Sequence, residues 1–142
     1  MSHSIQIRGY NGPRIVGLCF VLAACAPMHE RACSRGEHSA IHDSLYFGTD
    51  KRNGTVTADE WTAFLSDTVT PRFPQGLSVW QASGQWRAAD GAIVRESSNV
   101  LDLIHPDDAV SEQAVAEIVG IYKSRFQQEA VLRAKAHACV SF

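Results

Sequence analysis

Two periodicities alternate along the chain, one of two residues and one of about 3.6. "AIHDSLYFG", residues 40–48, alternates apolar with polar positions and carries aromatics, which predicts a strand. "TDKRNG" follows as a turn, sharpest at Asn53-Gly54. Thr57 to Glu60 spells the capping box T-A-D-E, and Trp61, Phe64 and Leu65 then fall at helical spacing, so a helix should run to about Thr68. In "TPRFPQG", residues 70–76, two prolines remove backbone donors and restrict their neighbours, which makes a loop. "LSVWQASGQWRAADGAIVRESSNVLDLIH" reads as two strands joined by "AADG" and closed by Pro106-Asp107-Asp108. Val115, Ile118, Val119, Tyr122 and Phe126 mark a second amphipathic helix from about Ser111 to Gln128. Finally, Leu132, Ala134, Ala136, Ala138 and Val140 alternate with Arg133, Lys135, His137 and Cys139, which predicts a strand with its first set buried and its second set wet.

Strand, helix, strand, strand, helix, strand is the α+β order of a ferredoxin-like βαββαβ domain: a four-stranded antiparallel sheet with two helices on one face. With the usual strand order 4-1-3-2, the first and last strands are neighbours. The polar side of the last strand is then expected beside His42, Ser44 and Tyr46 on the uncovered face, forming the best candidate site. The plainer reading is that this face is solvated or covered by a second copy.

The chain's beginning has a different pattern. Met1 to Arg14 is polar with two arginines and no acid, and Ile15 to Ala24, "IVGLCFVLAA", is uniformly apolar over 10 residues. That length suits the ~7–15 residue core of a signal peptide and falls short of the ~20 residues of a membrane-spanning helix. A buried first element of the mature fold is the competing reading. Leu22-Ala23-Ala24-Cys25 resembles the lipobox of bacterial lipoproteins, in which small residues before the cysteine admit the peptidase and the cysteine sulfur takes a diacylglyceryl group. The resemblance implies that residues 1–24 are a leader and that lipidation falls on Cys25. Two or three acyl chains, at about 0.8 kcal/mol per buried CH2, then hold the domain on the membrane. Ala26 follows in place of the Asp that commonly retains such proteins at the inner membrane, so the expected address is the outer membrane, facing the periplasm. Residues 25–39 read as the lipidated cysteine and its tether, and 40–142 as the folded domain.

Cysteine usage fits that compartment. Cys19 leaves with the leader and Cys25 is acylated, which leaves Cys33 and Cys139 as a disulfide candidate in an oxidising space. Two other readings stand beside it: free thiols, or a metal held by Cys33, Cys139, His137 and another histidine. Charge excludes one class of partner. Removing Arg8 and Arg14 with the leader leaves 11 basic against 15 acidic residues, a balance of -4 that argues against a nucleic-acid backbone binder.

"LYFGTD", "EWTAFLSDTVTPRFPQGLSV", "GQWR", "GAIVRESSNVLDLIH" and "YKSRFQQEAVLR" resemble a bacterial family of small secreted and lipid-anchored proteins, the domain of unknown function numbered three thousand five hundred and seventy-four. The resemblance covers nearly the whole domain from about Ser44 onward. It implies a compact α+β envelope protein and brings no substrate, cofactor or catalytic residue.

Candidate ligand-binding residues are His42, Tyr46, Arg72, Arg95, Arg133 and His137, which combine aromatic surfaces with fork-shaped donors for carboxylates or phosphates. Arg72 sits in a proline-stiffened loop and is equally suited to cap a helix end. Trp61 and Trp86 are expected in the core. No nucleophile elbow, H-E-x-x-H, G-x-G-x-x-G or P-loop occurs, and no resident metal or cofactor is expected. "HPDD" at 105–108 reads more simply as a helix start than as a chelate. The favoured function is a membrane-anchored module that binds a small anion or an envelope protein through the open sheet face, with a homodimer as a further arrangement. The alternative is a small enzyme on the same face, as in dimeric α/β-barrel proteins, with His42 or His137 as base, Tyr46 as donor and Arg133 holding an anion.

Overall fold

The first strand, β1 (His38–Gly48), puts Ile41, Leu45 and Phe47 on one side and His42, Ser44 and Tyr46 on the other, as its alternation predicts. These positions come from a computed structural model that describes residues 33–87 and 90–141. The leader, Cys25 and the first part of the tether lie outside the described residues.

After β1 the chain forms a small ribbon, β2 (Asp50–Lys51) and β3 (Gly54–Thr55), turning at Asn53-Gly54 with Gly54 at φ 116°. Helix α1 (Ala58–Phe64) opens on the expected capping box: Glu60 N–H donates to Thr57 Oγ1 at 3.2 Å, and Thr57 N–H to Glu60 Oε2 at 2.8 Å. The helix continues through a π-helical turn, Leu65–Val69, so it ends where sequence puts it but with a widened last turn. The proline loop leads to β4 (Ser78–Arg87) and β5 (Ile93–His105). Asp108 caps α2 (Ala109–Phe126), accepting from Ser111 N–H at 2.7 Å, and Gln127 ends it in the left-handed conformation at φ 56°. Thus the acid in "HPDD" starts the helix. The last strand is β6 (Leu132–Val140).

The sheet is antiparallel with order β4-β5-β1-β6, so the first and last strands are neighbours. Leu45, Phe47, Leu101 and Leu103 all project to one face and meet Trp61 and Phe64 of α1 and Val115, Ile118, Tyr122 and Phe126 of α2. At its centre the Tyr122 ring lies 4.5 Å from Phe47, 5.1 Å from Phe64 and 4.7 Å from Phe126. Such pairs each contribute about 0.5–1.5 kcal/mol beyond their buried area. The Tyr122 hydroxyl donates to Gly48 O at 2.9 Å, which satisfies its polar end inside the core. Among the described residues, no helix lies over the opposite sheet face. Cys33 and Cys139 are joined by a disulfide, with Cα atoms 5.5 Å apart.

Register corrects two expectations. Directly paired residues share a face, and β6 pairs Ala136 with His42, Ala134 with Ser44 and Leu132 with Tyr46. The apolar set of β6 therefore lies on the uncovered face, and Arg133, Lys135 and His137 lie on the helix-covered side. Trp86 is also misread by composition: paired with Val94 near the far end of β4, it is 52% exposed.

Candidate functional site

Three adjacent rows build the centre of the uncovered face. Trp80, Val100, Tyr46 and Leu132 form one row, Ser78, Asp102, Ser44 and Ala134 the next, and Ile104, His42 and Ala136 the third. The first row is apolar across the full width of the sheet. Val100 is fully buried between its neighbours, while Tyr46, Trp80 and Leu132 remain 36%, 45% and 65% exposed, and Ile104 adds 43%.

Within this surface, Asp102 accepts two hydrogen bonds. His42 Nε2 lies 2.8 Å from Asp102 Oδ2, and the Ser44 hydroxyl donates to Asp102 Oδ1 at 2.6 Å. Because an ionised carboxylate only accepts, Nε2 of His42 carries the hydrogen, which leaves Nδ1 as the basic nitrogen. The carboxylate stands between the serine and the imidazole, so His42 does not contact the Ser44 hydroxyl and the trio is not a nucleophile-imidazole-acid chain. What it offers is an imidazole oriented by a carboxylate on an otherwise apolar surface.

Arg133 belongs to a different assembly, on the helix-covered side. Its Nε donates to Asp43 Oδ1 at 2.8 Å and its Nη2 to Asp43 Oδ2 at 2.6 Å; the same guanidinium bonds Glu112 of α2, which also accepts from Lys135 at 2.8 Å. His105 Nε2 lies 2.9 Å from Asp43 Oδ2, and Nδ1 lies 2.7 Å from Pro106 O. Asp43 is fully buried. Burial works to raise its pKa, but hydrogen bonds from Arg133 and His105 outweigh it and hold the carboxyl below its ordinary value. Hydrogen bonds from Arg133 and then Lys135 draw Glu112 down to about 2. The same carboxylates push Arg133 further up, keeping it charged. Arg133 is thus a bridge between sheet and helix rather than an anion donor on the open face.

The remaining candidates also separate. Arg72 donates from Nε and Nη2 to Glu117 Oε2 and from Nη1 to Thr68 O at 2.8 Å, closing the end of the π-helical turn, which is the capping role. Arg95 is on the helix-covered side of the sheet, in a shallow groove with Gln85 and Ser83. His137 sits opposite Ile41 with Nδ1 3.9 Å from Asp107 Oδ2. The structure therefore brings together His42 and Tyr46 on the open face and takes Arg72, Arg95, Arg133 and His137 away from it. With both sulfurs in the disulfide, the Cys33, Cys139 and His137 metal set has no thiolate to offer. Asp102, Asp43, His105 and Glu112 were missed. Asp43 left a signal: it is the carboxylate in an otherwise apolar side, Ile41, Leu45 and Phe47, and a charge there requires a buried partner.

Residues 42–142 match the family described as Protein of unknown function (DUF3574). The chain belongs to this family. The resemblance drawn from its motifs is thus correct, and the match takes in nearly all of the folded domain of this DUF3574 protein. No curated protein matches the chain. Among solved structures, it is similar to a phage SAM lyase in complex with S-methyl-5'-thioadenosine, at TM-score 0.56 and 13% identity over 80% of this chain and 95% of that one. It is also similar to a phage SAM lyase in the apo state, at TM-score 0.50 and 17% identity over 73% and 90%. At these identities the likeness concerns the fold alone. Among the described residues of this DUF3574 protein, no helix is long and apolar enough to cross a membrane.

Proposed function

We propose that this DUF3574 protein is a bacterial envelope lipoprotein, anchored through lipid on Cys25 at the outer membrane facing the periplasm, whose uncovered sheet face is its recognition surface. The domain is read as ferredoxin-like from its element sequence together with the order β4-β5-β1-β6. The leader and Leu22-Ala23-Ala24-Cys25 support the anchor, and the Cys33–Cys139 disulfide accords with an oxidising compartment.

One observation carries the recognition surface: Tyr46, Trp80, Ile104 and Leu132 stand exposed together on the face that no helix among the described residues covers. Contiguous apolar surface of this kind marks interaction sites. Its occupant in this reading is a second copy. Four strands spaced ~4.8 Å apart and roughly ten residues long present on the order of 600 Å². A symmetric pair then buries roughly 1,200 Å², which meets the ~1,000 Å² a specific interface needs. The small-anion version has weaker support, because Arg133 and Arg72 are committed to Glu112, Asp43 and Glu117.

The test has two arms on the full chain expressed in a Gram-negative host. Flotation with outer-membrane vesicles, lost in Cys25→Ala, supports the anchor; unchanged flotation of that variant removes it. Native mass spectrometry of detergent-released protein should give a dimer that Leu132→Glu disrupts, and a monomer in both removes the second copy.

The His42–Asp102 bond favours a second reading, a small enzyme in which closure of the two faces shields an oriented imidazole acting as general base. Turnover of any substrate abolished by His42→Gln would support it.

A further inference from the structure

Two adjoining cavities of about 280 and 290 Å³ run between the β2–β3 ribbon with the start of α1 and the β4–β5 ladder, and Trp80 of the open-face row is among the residues that line the first. Both are bounded by Thr49, Val56, Gln81 and Asn99, and each is close to the lower end of the ~300–1,000 Å³ range of small-molecule sites. No Asp, Glu, Lys, Arg or His lines either one. The walls mix amides and hydroxyls with the apolar side chains of Val56, Ala58, Trp61, Val79 and Trp80.

Asn99 is the decisive residue. It is 4% exposed, it pairs directly across the ladder with Gln81, and its side-chain amide makes no hydrogen bond among the described residues. Yet no buried side-chain nitrogen or oxygen among the described residues is sealed off without a partner, so the Asn99 amide opens into the cavity. A nearly buried amide that opens into a groove keeps its hydrogen-bonding capacity for whatever fills that groove, water or a ligand that displaces it. Thr49, by contrast, is already committed: its hydroxyl donates to Ser97 O at 2.9 Å. Gln81 and Asn99 thus present two carbonyl acceptors and two NH2 donors side by side, without a charge nearby.

We infer that this groove binds an uncharged saccharide, whose hydroxyls pair with the Gln81 and Asn99 amides and whose C–H groups lie against the exposed side chain of Val79. Neutrality of the lining excludes a phosphate or carboxylate ligand, for which no cation is present in the groove. The hydroxyl-rich rim, including Thr55 and Ser83, matches a polyhydroxylated molecule in which each group both donates and accepts.

The experiment is saturation-transfer NMR and calorimetry on the full chain, solubilised in lauryldimethylamine oxide so that no sugar headgroup competes. The probes are N,N'-diacetylchitobiose, cellobiose and maltose, with adenosine and inorganic phosphate as comparisons. At least one disaccharide should bind, and Gln81→Ala or Asn99→Ser should weaken it about tenfold, the change that one lost hydrogen bond of roughly 1.4 kcal/mol produces. If Asn99→Ser does not fold, exposed Gln81→Ala decides the matter. Absence of disaccharide binding, binding that Gln81→Ala leaves unchanged, or preference for adenosine or phosphate would each overturn the assignment.

Discussion

Arg133 grips Asp43 through two parallel hydrogen bonds, Nε to Oδ1 at 2.8 Å and Nη2 to Oδ2 at 2.6 Å, and carries the only side chain among the described residues that bonds both this buried carboxylate and helix α2. Removing the guanidinium leaves a fully buried carboxylate short of its main partner. Arg133→Met should therefore destabilise the domain by about 3 kcal/mol, the scale of a broken buried pair. Urea denaturation measures it, and the double variant Asp43→Leu with Arg133→Met should recover most of the loss.

Acid should unfold the domain through the same network. Asp43 and Glu112 both have folded-state pKa values below their ordinary ones, so their contribution is fully present above the unfolded values and is lost as pH falls. For Glu112 the window runs from 4.5 down to about 2. Melting temperature should fall through that range in the wild type and fall less steeply in Glu112→Gln.

The disulfide between Cys33 and Cys139 spans 106 residues of sequence. A loop of about 100 residues is worth roughly 4.7 kcal/mol in the chain-entropy account. Cys139→Ser, or reduction by dithiothreitol, should lower the urea midpoint accordingly, and the oxidised chain should weigh two hydrogens less than the reduced one.

Tyr122→Phe should cost about 1 kcal/mol, because it removes the donor to Gly48 O and nothing of the ring packing against Phe47. Chemical denaturation checks this, with a difference near zero meaning that water replaces the hydroxyl.

Much of this architecture is legible in the chain. The capping box at Thr57, the spacing from Val115 to Phe126 and the alternation in β1 each correspond to an observed element, because each is a local pattern satisfied by its own segment. The site is less legible, and β6 shows why. Alternation separates its two faces without saying which one meets the core, and its apolar set is mostly alanine, too small to decide the matter by burial. The deciding partner is Asp43, a distance of 90 residues away, which draws Arg133 under the helix layer and so turns Leu132 and the alanines outward. His42 and Tyr46 keep their place because their own strand's pattern fixes it. Asp102 joins them only through the β1–β5 register, which no local signal contains.

The most direct test of the recognition surface is photo-cross-linking in living cells, with a benzophenone amino acid placed at position 104 on the open sheet face or at position 110 on the exposed start of α2. Val110 is 80% exposed and lies on the helix layer, so it controls for random encounter. The account predicts a product of twice the chain's mass from position 104 and none from position 110. Only monomer from both positions, or a product from position 104 joined to a different protein, would contradict it.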